Sequence, residues 1–199
     1  MPASTLFSWI AVGLLLVTSI GLLLSRDWRW SLGFLAAQYL GMFWLVSLHW
    51  PFGLASVKLV TGWMASATLG VTWLGMSEHE AIHESAWPQG RLFRLFAAAI
   101  VVILVIAATP QVETMIPGIS RPVIAGSLLL AGMGLLHLGI TAEILRIILG
   151  LLTVMAGFEI LYATVETSIL LAGLLAIVNL GLALAGAYLM TSTPPEDAE

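Results

Sequence analysis

The feature that most constrains this chain is its long stretches without any charge. Leu6 to Leu24 and Ile147 to Phe158 contain no acid and no base. A helix that crosses a bilayer's hydrocarbon core needs about 20 predominantly apolar residues. Only 9% of the 199 residues are charged, against 60% hydrophobic, whereas a soluble domain carries about 25% charged residues. Such a chain cannot cover its own surface with groups that water solvates. The sequence therefore predicts an all-α, polytopic membrane protein.

Seven spans are expected, at 6–24, 30–48, 53–76, 93–108, 122–141, 144–164 and 168–190. The fourth is short, and Arg94 at its start is expected to extend its head toward the interface. Orientation follows from where positive charge collects in short loops. Arg26, Arg29, Arg91, Arg94 and Arg146 flank the odd-numbered connections, while the even-numbered ones hold only Arg121. That places the N-terminus outside and the C-terminus in the cytoplasm. The apolar run near the start follows no Lys or Arg and exceeds a signal peptide's usual core, so it reads as a retained anchor.

The two halves differ in composition. All 8 tryptophans precede residue 88, and the region 122–190 is rich in Leu, Ala and Gly. Residues 109–121, with Pro110 and Pro117, are expected to separate a four-helix unit (1–108) from a three-helix unit (122–190). The tail, 191–199, has the composition of a disordered, solvated end.

Several functions are disfavoured at once. The net charge is −4, without a basic stripe, so nucleic-acid binding is not expected. The chain has no cysteine, which removes disulfides and thiolate-ligated metal. No phosphate loop or dinucleotide fingerprint is present, and no cofactor ligand set is evident. Paired broken helices, the mark of many self-contained transporters, are not evident either.

Well within the expected spans, away from their ends, the charged residues are Lys58 and Glu159. A charge at a helix centre costs about 2.5–3.5 kcal/mol on insertion scales, so each calls for a partner or a function. Both lie roughly 8 Å from the outer ends of their spans at 1.5 Å per residue. They can meet as a pair, or each can snorkel separately to the surface. Gln38, Tyr39, Asn179 and His137 are further polar residues in spans, and such groups usually bond between helices. Glu159, Lys58, Asn179 and His137 are the candidate ion-path residues.

His79-Glu80-Ala81-Ile82-His83 fits the H-E-x-x-H pattern, in which two histidines one turn apart bind zinc and the glutamate activates water. Glu84-Ser85-Ala86-Trp87-Pro88 follows, without the Gly and His of the extended motif. With Glu78, Glu80 and Glu84 the stretch also reads as an exposed acidic loop that touches a neighbouring subunit. A membrane zinc metalloprotease remains the alternative function.

The second half carries a recognisable pattern. Glu143-Ile-Leu-Arg146-Ile-Ile-Leu-Gly150-Leu-Leu152 resembles the family of the K subunit of NADH–quinone oxidoreductase. It is also similar to the C subunit of multisubunit cation/proton antiporters and, closest in layout, to component E of hydrogenase-4. Arg146 and Gly150 agree with that family, and Glu143 stands where it has Asn. Leu175-Ala-Ile-Val178, Gly181 and Tyr188 resemble its third helix, and Arg26-Asp-Trp-Arg29-Trp through Gln38 resembles the first half of component E. The family's membrane glutamate falls at Leu152 or Met155 here, and Glu159 lies one turn further on the same face. The second glutamate has only Asn179 nearby. The resemblance implies a non-catalytic membrane-arm subunit of a complex-I-like assembly: a group 4 hydrogenase, an NADH or ferredoxin oxidoreductase, or an antiporter. Its expected partners are other membrane subunits and the lipid of a bacterial-type cytoplasmic membrane.

Overall fold

The computed structural model describes residues 3–76 and 90–192, with side chains from Leu6 onward. Among the described residues, regular structure is entirely helical, in seven segments. They are α1 (Ala3–Leu24), α2 (Trp28–Val46), α3 (Phe52–Gly75), α4 (Arg91–Met115), α5 (Arg121–Gly139), α6 (Ile144–Val165) and α7 (Ile169–Ser192). Six of them are long and apolar enough to cross a membrane. The chain is a multi-pass membrane protein.

The helix not counted among the six is α2. Its 19 residues are long enough, but Arg29, Ser31, Gln38 and Tyr39 dilute its apolar content. Its position explains the tolerance. α2 packs on α1 and α3 and also reaches α6 and α5, so Leu35, Gln38, Tyr39, Met42 and Leu45 are buried. By contrast, α4 and α7 lie at the periphery, with Phe96, Ile103, Ile106, Leu170, Ile177 and Leu184 exposed. In water that surface would drive association; in lipid it is the normal exterior.

Local chemistry sets where helices begin and turn. Asp27 caps α2 by accepting the Arg29 N–H at 2.9 Å. Pro51 precedes α3, and Pro122 occupies the first turn of α5, where a missing N–H costs nothing. Gly118 turns the chain between α4 and α5 with a φ of 99°, a conformation that disfavours any side chain. Inside the helices, hydroxyls of Thr18, Thr61, Ser66, Thr109 and Thr153 donate to carbonyls one turn back. Their polarity is thereby satisfied without a partner helix.

The fourth helix departs from expectation. It runs through Pro110 to Met115, well beyond the expected end at residue 108. Pro110 offers no N–H to the Ile106 carbonyl, and Thr109 bonds Val105 with its hydroxyl at 2.6 Å beside it. Flanking apolar residues hold the helix together across that break. The stretch expected to link two units is thus mostly helix. α7 likewise extends through Thr191 and Ser192, and residues 193–199 of the expected tail lie outside the described residues.

Helices of the two expected units interleave: α1 packs on α5, α2 on α6 and α3 on α7. The most extensive contact joins α5 to α6. There a Cβ on Gly157 would approach the Ala131 nitrogen at 2.6 Å, so only glycine permits this backbone approach. The Ser127 hydroxyl donates across the same seam to the Gly157 carbonyl at 2.7 Å.

Candidate functional site

The polar interior is assembled from four helices. Lys58 lies roughly 9 Å along α3 from Phe52, and Glu159 lies roughly 9 Å before the end of α6. The two helices place them at one level, and Lys58 Nζ donates to Glu159 Oε1 at 2.9 Å. Both side chains are 1% exposed. Independent snorkelling is thereby replaced by a buried ion pair. Asn179 of α7 donates through Nδ2 to the same Oε1 at 3.1 Å, and Lys58 also donates to the Ala172 carbonyl at 3.3 Å. One carboxylate oxygen therefore accepts two bonds, from a cation and from an amide.

The other carboxylate oxygen is different. Glu159 Oε2 is buried and has no hydrogen-bond partner among the described residues; neither have Asn179 Oδ1, the Tyr39 hydroxyl and both amide atoms of Gln38. Tyr39 is fully buried, close enough to feel the Glu159 charge. Its ring lies against Gly62, where any Cβ would overlap it. Gly62 is one helical turn past Lys58 on the same face of α3. A lysine and a glycine at that spacing thus set the cation and make room for the phenol. Buried polar atoms of this kind are normally hydrogen-bonded. The set combines donors and acceptors, which suits water or a transferring proton.

His137 stands elsewhere. It occupies the last turn of α5 and is buried, with Nε2 unpartnered among the described residues. Glu159 lies roughly 22 Å along α6 from its start, at the opposite end of the bundle. His137 thus shares no hydrogen bond with the Lys58–Glu159 cluster; the charges that face it are Arg146 and Arg94. Of the four candidate ion-path residues, the structure brings together three.

Around His137 the polar atoms form a clamp. Arg146 accepts no proton but donates widely: to Glu143 Oε2 at 2.7 Å, the Ser25 carbonyl at 2.8 Å and the Arg26 carbonyl at 3.4 Å. Arg94 donates to the Leu23 carbonyl at 3.1 Å, rather than extending only toward the interface. Two guanidiniums therefore cover carbonyls at the C-terminal end of α1, where the helix dipole favours positive charge. On the opposite side of the bundle, the Trp50 indole donates to the Glu166 carbonyl at 2.9 Å and ties the α2–α3 turn to the α6–α7 turn.

Gln38 and Tyr39 were expected as polar residues within a span, but the seating of the Tyr39 ring against Gly62, one turn from Lys58, was not anticipated. The available signal was Gly62, since a glycine one turn after a buried lysine marks a large neighbour. The His79–Glu80–His83 stretch lies outside the described residues. Within the described residues, no three potential metal-ligating side chains converge.

Comparison of the sequence with protein-family models and curated proteins, and of the fold with solved structures, yields no match.

Proposed function

We infer that the protein is a membrane-arm subunit of a complex-I-like ion-translocating assembly, with the layer around Glu159 lining a proton or sodium path. The assembly type is read from the resemblance at residues 143–190. The observation that carries an ion-path role is the buried Lys58–Glu159 pair, whose second carboxylate oxygen, Oε2, has no hydrogen-bond partner among the described residues.

The chemistry follows from charge balance. A lone carboxylate at this depth would be strongly penalised, but the lysine makes the resting layer neutral. A proton that reaches Oε2 cancels the carboxylate and frees the ammonium from its attraction. Departure of that proton restores the pair. Lys58 and a passing proton or hydrated cation thus compete for one carboxylate, and Asn179 keeps it oriented. The donor and acceptor atoms of Gln38, Tyr39 and Asn179 supply places for water along the route.

In this reading all seven helices span, with α2 shielded by its neighbours. The N-terminus is outside and the C-terminus is on the cytoplasmic side of a bacterial-type membrane, and the redox or antiport chemistry belongs to partner subunits. The test is ion pumping in membrane vesicles that carry the complete assembly. Glu159→Gln should slow translocation at least tenfold while the assembly stays intact. Undiminished pumping would remove Glu159 from the ion path.

A further inference from the structure

A groove of about 540 Å³ lies between α1, α4 and α5, on the side of the bundle away from the Lys58–Glu159 pair. It exists because α4 packs mainly on α5 and touches α1 only lightly. Val12 and Leu16 form one wall, Val105 the other, and Ala125 and Leu129 the floor. Along α4 it extends from Val102 to Pro110, roughly 12 Å by helix rise. One leaflet of a hydrocarbon core is roughly 15 Å thick, half of the usual 30 Å. The groove therefore follows most of one leaflet.

Its two rims, Trp9 and Ile106, are exposed on the apolar exterior of the bundle, so its mouth opens into hydrocarbon. One end is polar. Arg121, the first residue of α5, lines the groove, and its Nε donates to Glu113 Oε2 at 2.6 Å. The Arg121 side chain is 67% exposed and that of Glu113 33%. An exposed pair of this kind contributes little by itself and opens readily to other partners. An occupant has to be apolar along its length and carry both signs of charge at one end.

We propose that this groove is a binding site for one acyl chain of a zwitterionic aminophospholipid, with the lipid phosphate on Arg121 and its ammonium on Glu113. The guanidinium has further N–H donors beyond Nε, and its planar fork matches phosphate oxygens. Glu113 selects the amine: a headgroup of purely negative charge meets the acid unfavourably. Gly13 on the α1 wall leaves the space open, since a Cβ built there meets no atom within 4 Å.

The experiment is lipid titration of the delipidated protein in detergent, read by native mass spectrometry. The probes are phosphatidylethanolamine and phosphatidylglycerol with the same palmitoyl and oleoyl chains. One ethanolamine lipid should bind about twofold to fivefold more tightly than its glycerol counterpart. Glu113→Gln should erase or reverse that preference, and Arg121→Gln should weaken both lipids. Gly13→Phe should lower binding about tenfold by filling the groove. Ile106→Trp, on an already exposed rim, should do the same and decides the matter if Gly13→Phe does not fold. Equal affinity for the two lipids overturns the headgroup assignment, and binding unchanged by both filling variants overturns the site. A photo-crosslinker at Val12 that captures a protein helix instead of lipid in native membranes overturns it as well. None of these readouts depends on ion translocation.

Discussion

Lys58 and Glu159 meet at 2.9 Å although 101 positions separate them in the sequence. They join α3 to α6, helices of opposite halves of the chain, and Asn179 brings α7 into the same contact. The pair is both a tertiary tie and the electrical centre of the bundle. Its members cannot be altered independently.

Removing one partner of a buried ion pair typically destabilises by about 3–5 kcal/mol, because the other charge stays buried alone. Glu159→Gln and Lys58→Met should each lower thermal stability in detergent by that order. The double variant should be more stable than the sum of the single effects requires. Strictly additive losses in this cycle would contradict coupling between the two.

The Tyr39 ring and Gly62 form a size-matched contact. Gly62→Val should destabilise by about 1–3 kcal/mol through overpacking. Adding Tyr39→Ala should relieve part of that loss, although Tyr39→Ala alone opens a cavity. A double variant as damaged as the two losses combined would show that the ring does not occupy this position.

The chain has no cysteine, so a single introduced thiol reports one position. Arg146→Gln removes charge-assisted bonds to the Ser25 and Arg26 carbonyls, each worth about 1.5–3 kcal/mol. In that background, Ser25→Cys should react with maleimide several times faster than in the parent. Arg146→Lys should restore little, since an ammonium lacks the guanidinium's fork. Unchanged labelling rates would mean that the clamp does not hold the α1–α2 turn.

Orientation is testable with the same tool. A membrane-impermeant thiol reagent applied to intact cells should label Ser120→Cys, at the start of α5, and spare Ser25→Cys. The reverse pattern would invert the topology inferred from the arginine distribution.

The architecture was legible where it rested on length and hydropathy. Six of the seven helices, all but α4, stand within a few residues of their expected positions, because long apolar runs leave the backbone no alternative to the helix in lipid. α4 was misjudged at Pro110, since a proline's effect depends on whether flanking turns are held, and sequence does not display that. α2 was legible as a helix but not as the shielded one, because burial is a property of its neighbours. At the site, equal depth suggested that Lys58 and Glu159 could meet. Depth says nothing about azimuth, so it could not show that Tyr39 joins them or that His137 stands at the far end. Arg146 was read as a charge marking sidedness, while its reach to carbonyls of the α1–α2 turn depended on packing between distant segments.

The separation of the pair along the chain has a consequence for how the protein is made. At about 5–20 residues per second, a ribosome polymerises Glu159 roughly 5–20 s after Lys58. During that interval α3 must enter the bilayer with an uncompensated ammonium, and it is the least hydrophobic of the six apolar spans, with a hydropathy of 1.3. The burden falls on the insertion machinery and on the remaining apolar residues of α3. The layer becomes neutral only when the sixth helix delivers the counter-ion, and the bundle closes when α7 follows and packs on α3, so the early helices are locked in place by the last ones made.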